Sequence, residues 1–184
     1  FTQPKTFNPN KTRTQVIEQL VCAISESALR EAALWALFNI PGLPPILQSL
    51  HIISIALLFA SIGMTNLRFL KLALPSHSPS EMIIRLAPWT WASLTALFAT
   101  GSIFVIARPA RYFYNPVAGV KLLTLTLASI LTVLLVKYAK KQTDYWESSE
   151  LRVRTAQFIS LLSIALWVIT ILAGRWIAYL DYLI

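Results

Sequence analysis

Between Ile46 and Thr65 the chain carries no charged residue, and the same holds from Leu86 to Ala107. A helix needs about 20 apolar residues to cross a bilayer, and backbone groups in lipid must be satisfied within the segment, so such blocks read as transmembrane helices. Two further blocks have the same length. The stretch from Pro116 is broken only by Lys121 before Lys137, and Lys121 lies about a turn inside the end, where its stem can carry the charge to the interface. The stretch from Thr155 to Tyr179 carries Arg175 in its last turns. The spacing therefore predicts an all-α membrane protein. Its four-transmembrane-helix bundle occupies residues 46–184, with spans at about 46–65, 86–107, 116–137 and 155–179. Composition agrees: 13% of residues are charged and 56% hydrophobic, against about 25% charged in soluble domains.

The region before the first span has a different character. Residues 1–14 hold Lys5, Lys11 and Arg13 with no acid and two prolines, which predicts an extended basic N-terminal arm lying on lipid headgroups or a partner. The opening FTQPKTFNPNKTRT is polar and lacks the apolar core of a signal peptide. From Gln15 to Phe38, Ile17, Leu20, Val21, Ile24, Ala28, Ala32 and Trp35 recur at intervals of three and four, while Glu18, Ser25, Glu26 and Arg30 fall elsewhere. That pattern predicts an amphipathic interfacial helix over 15–38. Asn39 to Pro45, with three prolines and Gly42, then reads as a break that turns the chain into the bilayer.

Sixteen Lys and Arg against eight Asp and Glu give a net charge of +8. In a soluble chain that balance suggests nucleic acid, but here the basic residues flank apolar spans, so headgroups are the expected partner and nucleic acid is not. Loops after the first and third spans hold eight basic residues near the membrane, against four on the other side, Arg108, Arg111, Lys121 and Arg175. The positive-inside rule, weighted to these short loops, predicts a multi-pass membrane protein with both termini outside the cytoplasm, which is the periplasm if the membrane is a bacterial inner (cytoplasmic) one. The basic residues Lys5, Lys11, Arg13 and Arg30 pull the other way.

Chemistry-bearing residues are few. His51 is the one histidine inside a span, about a turn from its start. An imidazole there either bonds a hydroxyl or carbonyl on a neighbouring helix or ligates a metal, with haem b or another tetrapyrrole as the candidate cofactor. The other histidine, His77, sits in Pro75-Ser-His77-Ser-Pro79, a loop sequence, so a self-contained bis-histidine haem is not expected. Arg175, after Gly174, either clamps an anionic group such as a haem propionate or lipid phosphate, or snorkels at a helix C-terminus. No span contains Asp or Glu, which argues against a transporter or pump. No Walker loop, dinucleotide fingerprint, HExxH or GxSxG is present. The acids Asp144, Glu147 and Glu150 in the third loop read as helix-end residues. Cys22 is the single cysteine, and Met64 and Met82 add too few soft ligands for a copper path.

The segments Leu50-His51-Ile-Ile-Ser-Ile-Ala-Leu-Leu-Phe59, Asn66-Leu-Arg68-Phe-Leu70, Pro88-Trp-Thr-Trp91, Asn115-Pro116 with Lys121, and Gly174-Arg-Trp-Ile-Ala-Tyr179 carry a resemblance. Over roughly residues 24–180 the chain resembles an uncharacterised bacterial family of small four-helix integral membrane proteins, distantly similar to the membrane part of copper-resistance D-like proteins. The resemblance implies a histidine near the start of the first span, an acidic-Leu-Arg motif at its end, and a Gly-Arg at the end of the fourth. His51, Arg68, Lys121 and Arg175 fill matching places, whereas Asn66 stands where an Asp is usual, which removes a charge that would pair with Arg68. No activity attaches to that likeness.

These observations favour a non-catalytic accessory or structural subunit of a larger membrane complex, packing on other membrane protein subunits through small residues. In the first span these are Ala56, Ala60, Ser61 and Gly63, and in the second Ala96, Ala99 and Gly101. The alternative is a haem- or metal-linked redox protein with His51 as ligand and Arg175 as anchor.

Overall fold

Helix starts in this chain follow local cap chemistry. The computed structural model describes residues 9–73, 78–141, 145–146 and 148–180, which form seven helices. The arm residues 1–8, the loop placement of His77, and the acids Asp144 and Glu147 lie outside the described residues.

The first helix, α1, spans Pro9–Ser25. It begins within the stretch expected to be extended, because a proline in the first turn gives up only an N–H that has no helical partner there. The single helix expected over 15–38 is two. The second, α2, spans Ala28–Asn39, and Ser27 divides them: its hydroxyl donates to Ile24 O at 2.6 Å and accepts from Arg30 N at 3.3 Å. The Asn39–Pro45 break is also shorter than expected. Gly42, at φ 79°, turns the chain, and α3 (Leu43–Phe69) takes Pro44 and Pro45 into its first turn.

The remaining helices are α4 (Pro79–Ala107), α5 (Pro109–Phe113), α6 (Pro116–Lys141) and α7 (Glu150–Leu180). Ser78 caps α4 by accepting from Glu81 N at 3.1 Å. Asn115 caps α6 by accepting from Val117 N at 3.0 Å, with Pro116 behind it. Helices α4 and α7 start several residues before the uncharged blocks at 86 and 155, so Arg85, Arg152 and Arg154 lie within helices.

Helices α3, α4, α6 and α7 are each long and apolar enough to cross a membrane. The protein is a multi-pass, all-α four-helix membrane bundle. Adjacent helices alternate in direction: α3 packs chiefly on α4 and α6 on α7, while α3–α7 and α4–α6 contacts close the ring. Helix α2 lies on α4, and α1 lies on α5.

Large apolar side chains face outward and small or hydroxylic ones inward. Phe98 is 79% exposed and Phe158 68%, whereas Ala128, Ala156, Ser160 and Ser163 are fully buried. Lipid gives no hydrophobic incentive to bury leucine, so close backbone approach and interhelical hydrogen bonds hold such bundles together. Ser61 bonds Thr90 at 3.0 Å between α3 and α4, Asn66 Nδ2 donates to Ser163 Oγ at 3.2 Å between α3 and α7, and Thr170 Oγ1 donates to Thr124 Oγ1 at 2.8 Å between α7 and α6. Two apolar clusters fill the rest, one around Leu58, Ile62, Ala128 and Trp167 and one around Phe69, Ile83, Leu135 and Trp146. The small residues expected to meet a partner are divided. Ala56, Ala60 and Ala99 face outward, but Ser61 is buried against Thr90 and Gly101 lies beside His51.

Candidate functional site

The start of α3, the end of α4, the start of α6 and the end of α7 share one end of the bundle, where Asn115 Nδ2 on α6 donates to Ile177 O on α7 across a long 3.5 Å. His51 comes from α3 and is half-buried. Its Nδ1 lies 2.7 Å from Thr100 Oγ1 on α4, and its ring meets Phe104 edge-on at 6.3 Å. Gly101 lies beside the ring: a Cβ there would stand 3.6 Å from His51 Cε1, an ordinary van der Waals contact.

The contacts of Thr100 suit the tautomer protonated at Nδ1. Thr100 has one hydroxyl proton, and it is given to Ala96 O at 2.7 Å, as threonines inside helices commonly do. With that proton on Ala96 O the Thr100 oxygen accepts, and His51 Nδ1 donates to it. In this tautomer Nε2 holds the lone pair, and it has no hydrogen-bond partner among the described residues. An imidazole held by one nitrogen with the other free is the arrangement of a metal-ligating histidine.

Lys121, from α6, is half-buried at the same end. Its side chain runs against α7 where Gly174 has no side chain: a Cβ there would stand 3.3 Å from Nζ. No ion pair is made by Lys121 among the described residues. The Thr124–Thr170 bond lies one helical turn further along α6 and α7. This end of the bundle thus carries an imidazole from α3 and an ammonium from α6.

Arg175 does not join them. It is exposed, donates from Nη2 to Tyr179 OH at 3.1 Å, and sits over the Tyr179 ring at 5.3 Å. Arg68 is half-buried at the opposite end of α3. Asn66, which stands where an Asp would pair with Arg68, turns into the core towards Ser163. Among the described residues no three His, Cys, Asp or Glu side chains come together. Cys22 is exposed on α1 and donates to Glu26 Oε1 at 3.3 Å; that bond, and then the negative charge of Glu26, push its thiol above the usual range.

Residues 43–180 match the model of a family of unknown function, DUF6644. The chain belongs to DUF6644. No curated protein and no solved structure matches it. The DUF6644 match begins at the first residue of α3 and ends at the last of α7, so it takes in the whole bundle with His51, Arg68, Lys121 and Arg175 and leaves α1 and α2 outside. The sequence gives His51 and Lys121 away as polar residues inside apolar blocks. Thr100, Gly101 and Gly174 carry no such mark, because threonines and glycines are common in membrane helices and only the packing shows which ones face a functional side chain.

Proposed function

We propose that this DUF6644 chain is a non-catalytic subunit of a larger bacterial inner-membrane assembly that holds an anionic metal tetrapyrrole of the haem b class. His51 Nε2 ligates the metal and Lys121 meets an acidic group on the ring edge. The observation that carries this reading is the divided imidazole: Nδ1 is spent on Thr100, and Nε2 is unpaired. Lys121 supports it. An ammonium inside a membrane bundle is costly without a counter-charge, and a ligand bringing carboxylates supplies one where the span sequences contain no acid. Phe104, set edge-on to the ring, adds an apolar surface suited to a flat macrocycle.

The subunit half of the reading rests on the outward faces. Leu125, Thr126, Ser129, Ile130, Val133 and Leu134 line an open apolar groove on α6 that suits a partner helix, and Ala56, Ala60 and Ala99 permit close approach elsewhere. The distant likeness to copper-resistance D-like membrane parts, and the placement of both termini in the periplasm, belong to this proposal. Cysteine-accessibility mapping of the loops tests the orientation.

Purification from the native membrane in mild detergent tests both halves. The expected result is a Soret band in the wild-type preparation that is lost in His51→Ala, together with stoichiometric partner subunits. A wild-type preparation without a Soret band, or a band unchanged in His51→Ala, overturns the tetrapyrrole. A stable monomer without partners overturns the subunit role.

A further inference from the structure

Towards the other end of the bundle, a cavity of about 20 Å³ lies between α3, α4 and α6. Its walls include Ile62, Ile83 and Leu135, and its polar lining is Thr65, Asn66 and Thr132; all six residues are buried. A single water needs a cavity of about 10–15 Å³ or more and two to four polar partners, so the size suits one molecule.

The hydrogen bonds already made say what the lining can offer. Thr65 Oγ1 donates to Ser61 O and Thr132 Oγ1 donates to Ala128 O, each at 2.9 Å, so both hydroxyl protons are committed and both oxygens present only lone pairs. Asn66, 1% exposed, spends one N–H on Ser163. Its second N–H and its carbonyl oxygen have no partner among the described residues, and leaving an amide unsatisfied in an apolar interior costs about 1–3 kcal/mol.

We propose that this cavity is a binding site for one structural water molecule, which donates to the Thr65 and Thr132 hydroxyl oxygens and bonds the Asn66 amide. Water is the occupant that fits this lining, because it both donates and accepts. A sodium ion uses acceptors only, would leave the Asn66 N–H unmet, and finds no carboxylate in the lining to offset its charge. The water extends the Ser163–Asn66 bond to Thr132, so that α7, α3 and α6 are joined through the Asn66 side chain.

The test is a crystal structure of the full chain in a lipidic phase, at a resolution that shows ordered water, for the wild type and for Thr132→Leu. The expected result is a density peak within hydrogen-bond distance of Thr65, Asn66 and Thr132 in the wild type and its loss when leucine fills the cavity. A wild-type map with these three side chains well ordered and no peak between them overturns the proposal. So does a peak with the short, oxygen-rich coordination of a cation. The wild-type map decides the matter even where Thr132→Leu does not fold.

Discussion

Thr100→Val keeps the shape of the side chain and removes its hydroxyl, which isolates what that hydroxyl does for His51. The Ala96 carbonyl accepts from Thr100 in addition to its place in α4, so losing that bond is minor. The larger loss is at His51, whose Nδ1–H then has no acceptor. Interhelical hydrogen bonds of this kind in membrane bundles contribute about 0.6 kcal/mol on average and up to about 1.7. The 2.7 Å length and the 3% exposure of Thr100 place this one toward the upper figure, so the expected loss of stability is about 1 kcal/mol. The effect on ligand binding is larger, because the ring loses the Thr100 bond that orients it. Removing the outer partner of a ligating histidine lowers metal affinity by about 10–100-fold, or about 1.4–2.7 kcal/mol. The assay is a haem titration of detergent-solubilised apoprotein followed at the Soret band, alongside a thermal melt. A Thr100→Val protein that binds haem as tightly as the wild type, while losing the expected stability, would refute the role given to the Thr100–His51 bond.

Four further outcomes follow from other parts of the fold. Gly174→Ala puts a Cβ 3.3 Å from the tip of Lys121, which is flexible and can yield, so thermal unfolding should show a change within about 1 kcal/mol, on the stabilising side through helix propensity; a larger loss would mean the ammonium is pinned. Lys71 adopts a left-handed φ of 61° where Leu72 N bonds back to Leu67 O, and Lys71→Gly should therefore stabilise by about 0.5–1 kcal/mol in the same melt. Asn66→Ala removes the bond to Ser163 and should cost about 1 kcal/mol, detectable by denaturant unfolding in detergent. At a fixed pH below the Cys22 thiol's pKa, Glu26→Gln should speed maleimide labelling, because removing the carboxylate lowers that pKa and raises the thiolate fraction; an unchanged rate would show that Glu26 does not govern the thiol.

The four spans were legible in the sequence because charge is excluded from lipid so strictly that gaps between charges mark the helices. Helix boundaries were less legible where a proline was read as a breaker. Pro9, Pro44 and Pro45 each stand in the first turn of a helix, where proline is favoured, and only neighbouring residues such as Gly42 tell the two roles apart. The division of α1 from α2 was missed for a related reason: the three-and-four periodicity of apolar residues continues across Ser27, although its hydroxyl caps a new helix.

The candidate site was legible in its histidine and lysine and illegible in its geometry, and the difference has a physical cause. A histidine or lysine in an apolar block is conspicuous because it is costly, whereas the groups that make it tolerable are cheap and abundant. Arg175 illustrates the limit: it shares an end of the bundle with His51, yet its guanidinium lies on Tyr179, one turn along its own helix. Lys121 runs against Gly174 of α7, and His51 stands beside Gly101 of α4. Sharing an end of a bundle therefore does not place two side chains in one site. Which neighbour each side chain meets is set by the helix that faces it, and that becomes visible only when the helices are packed.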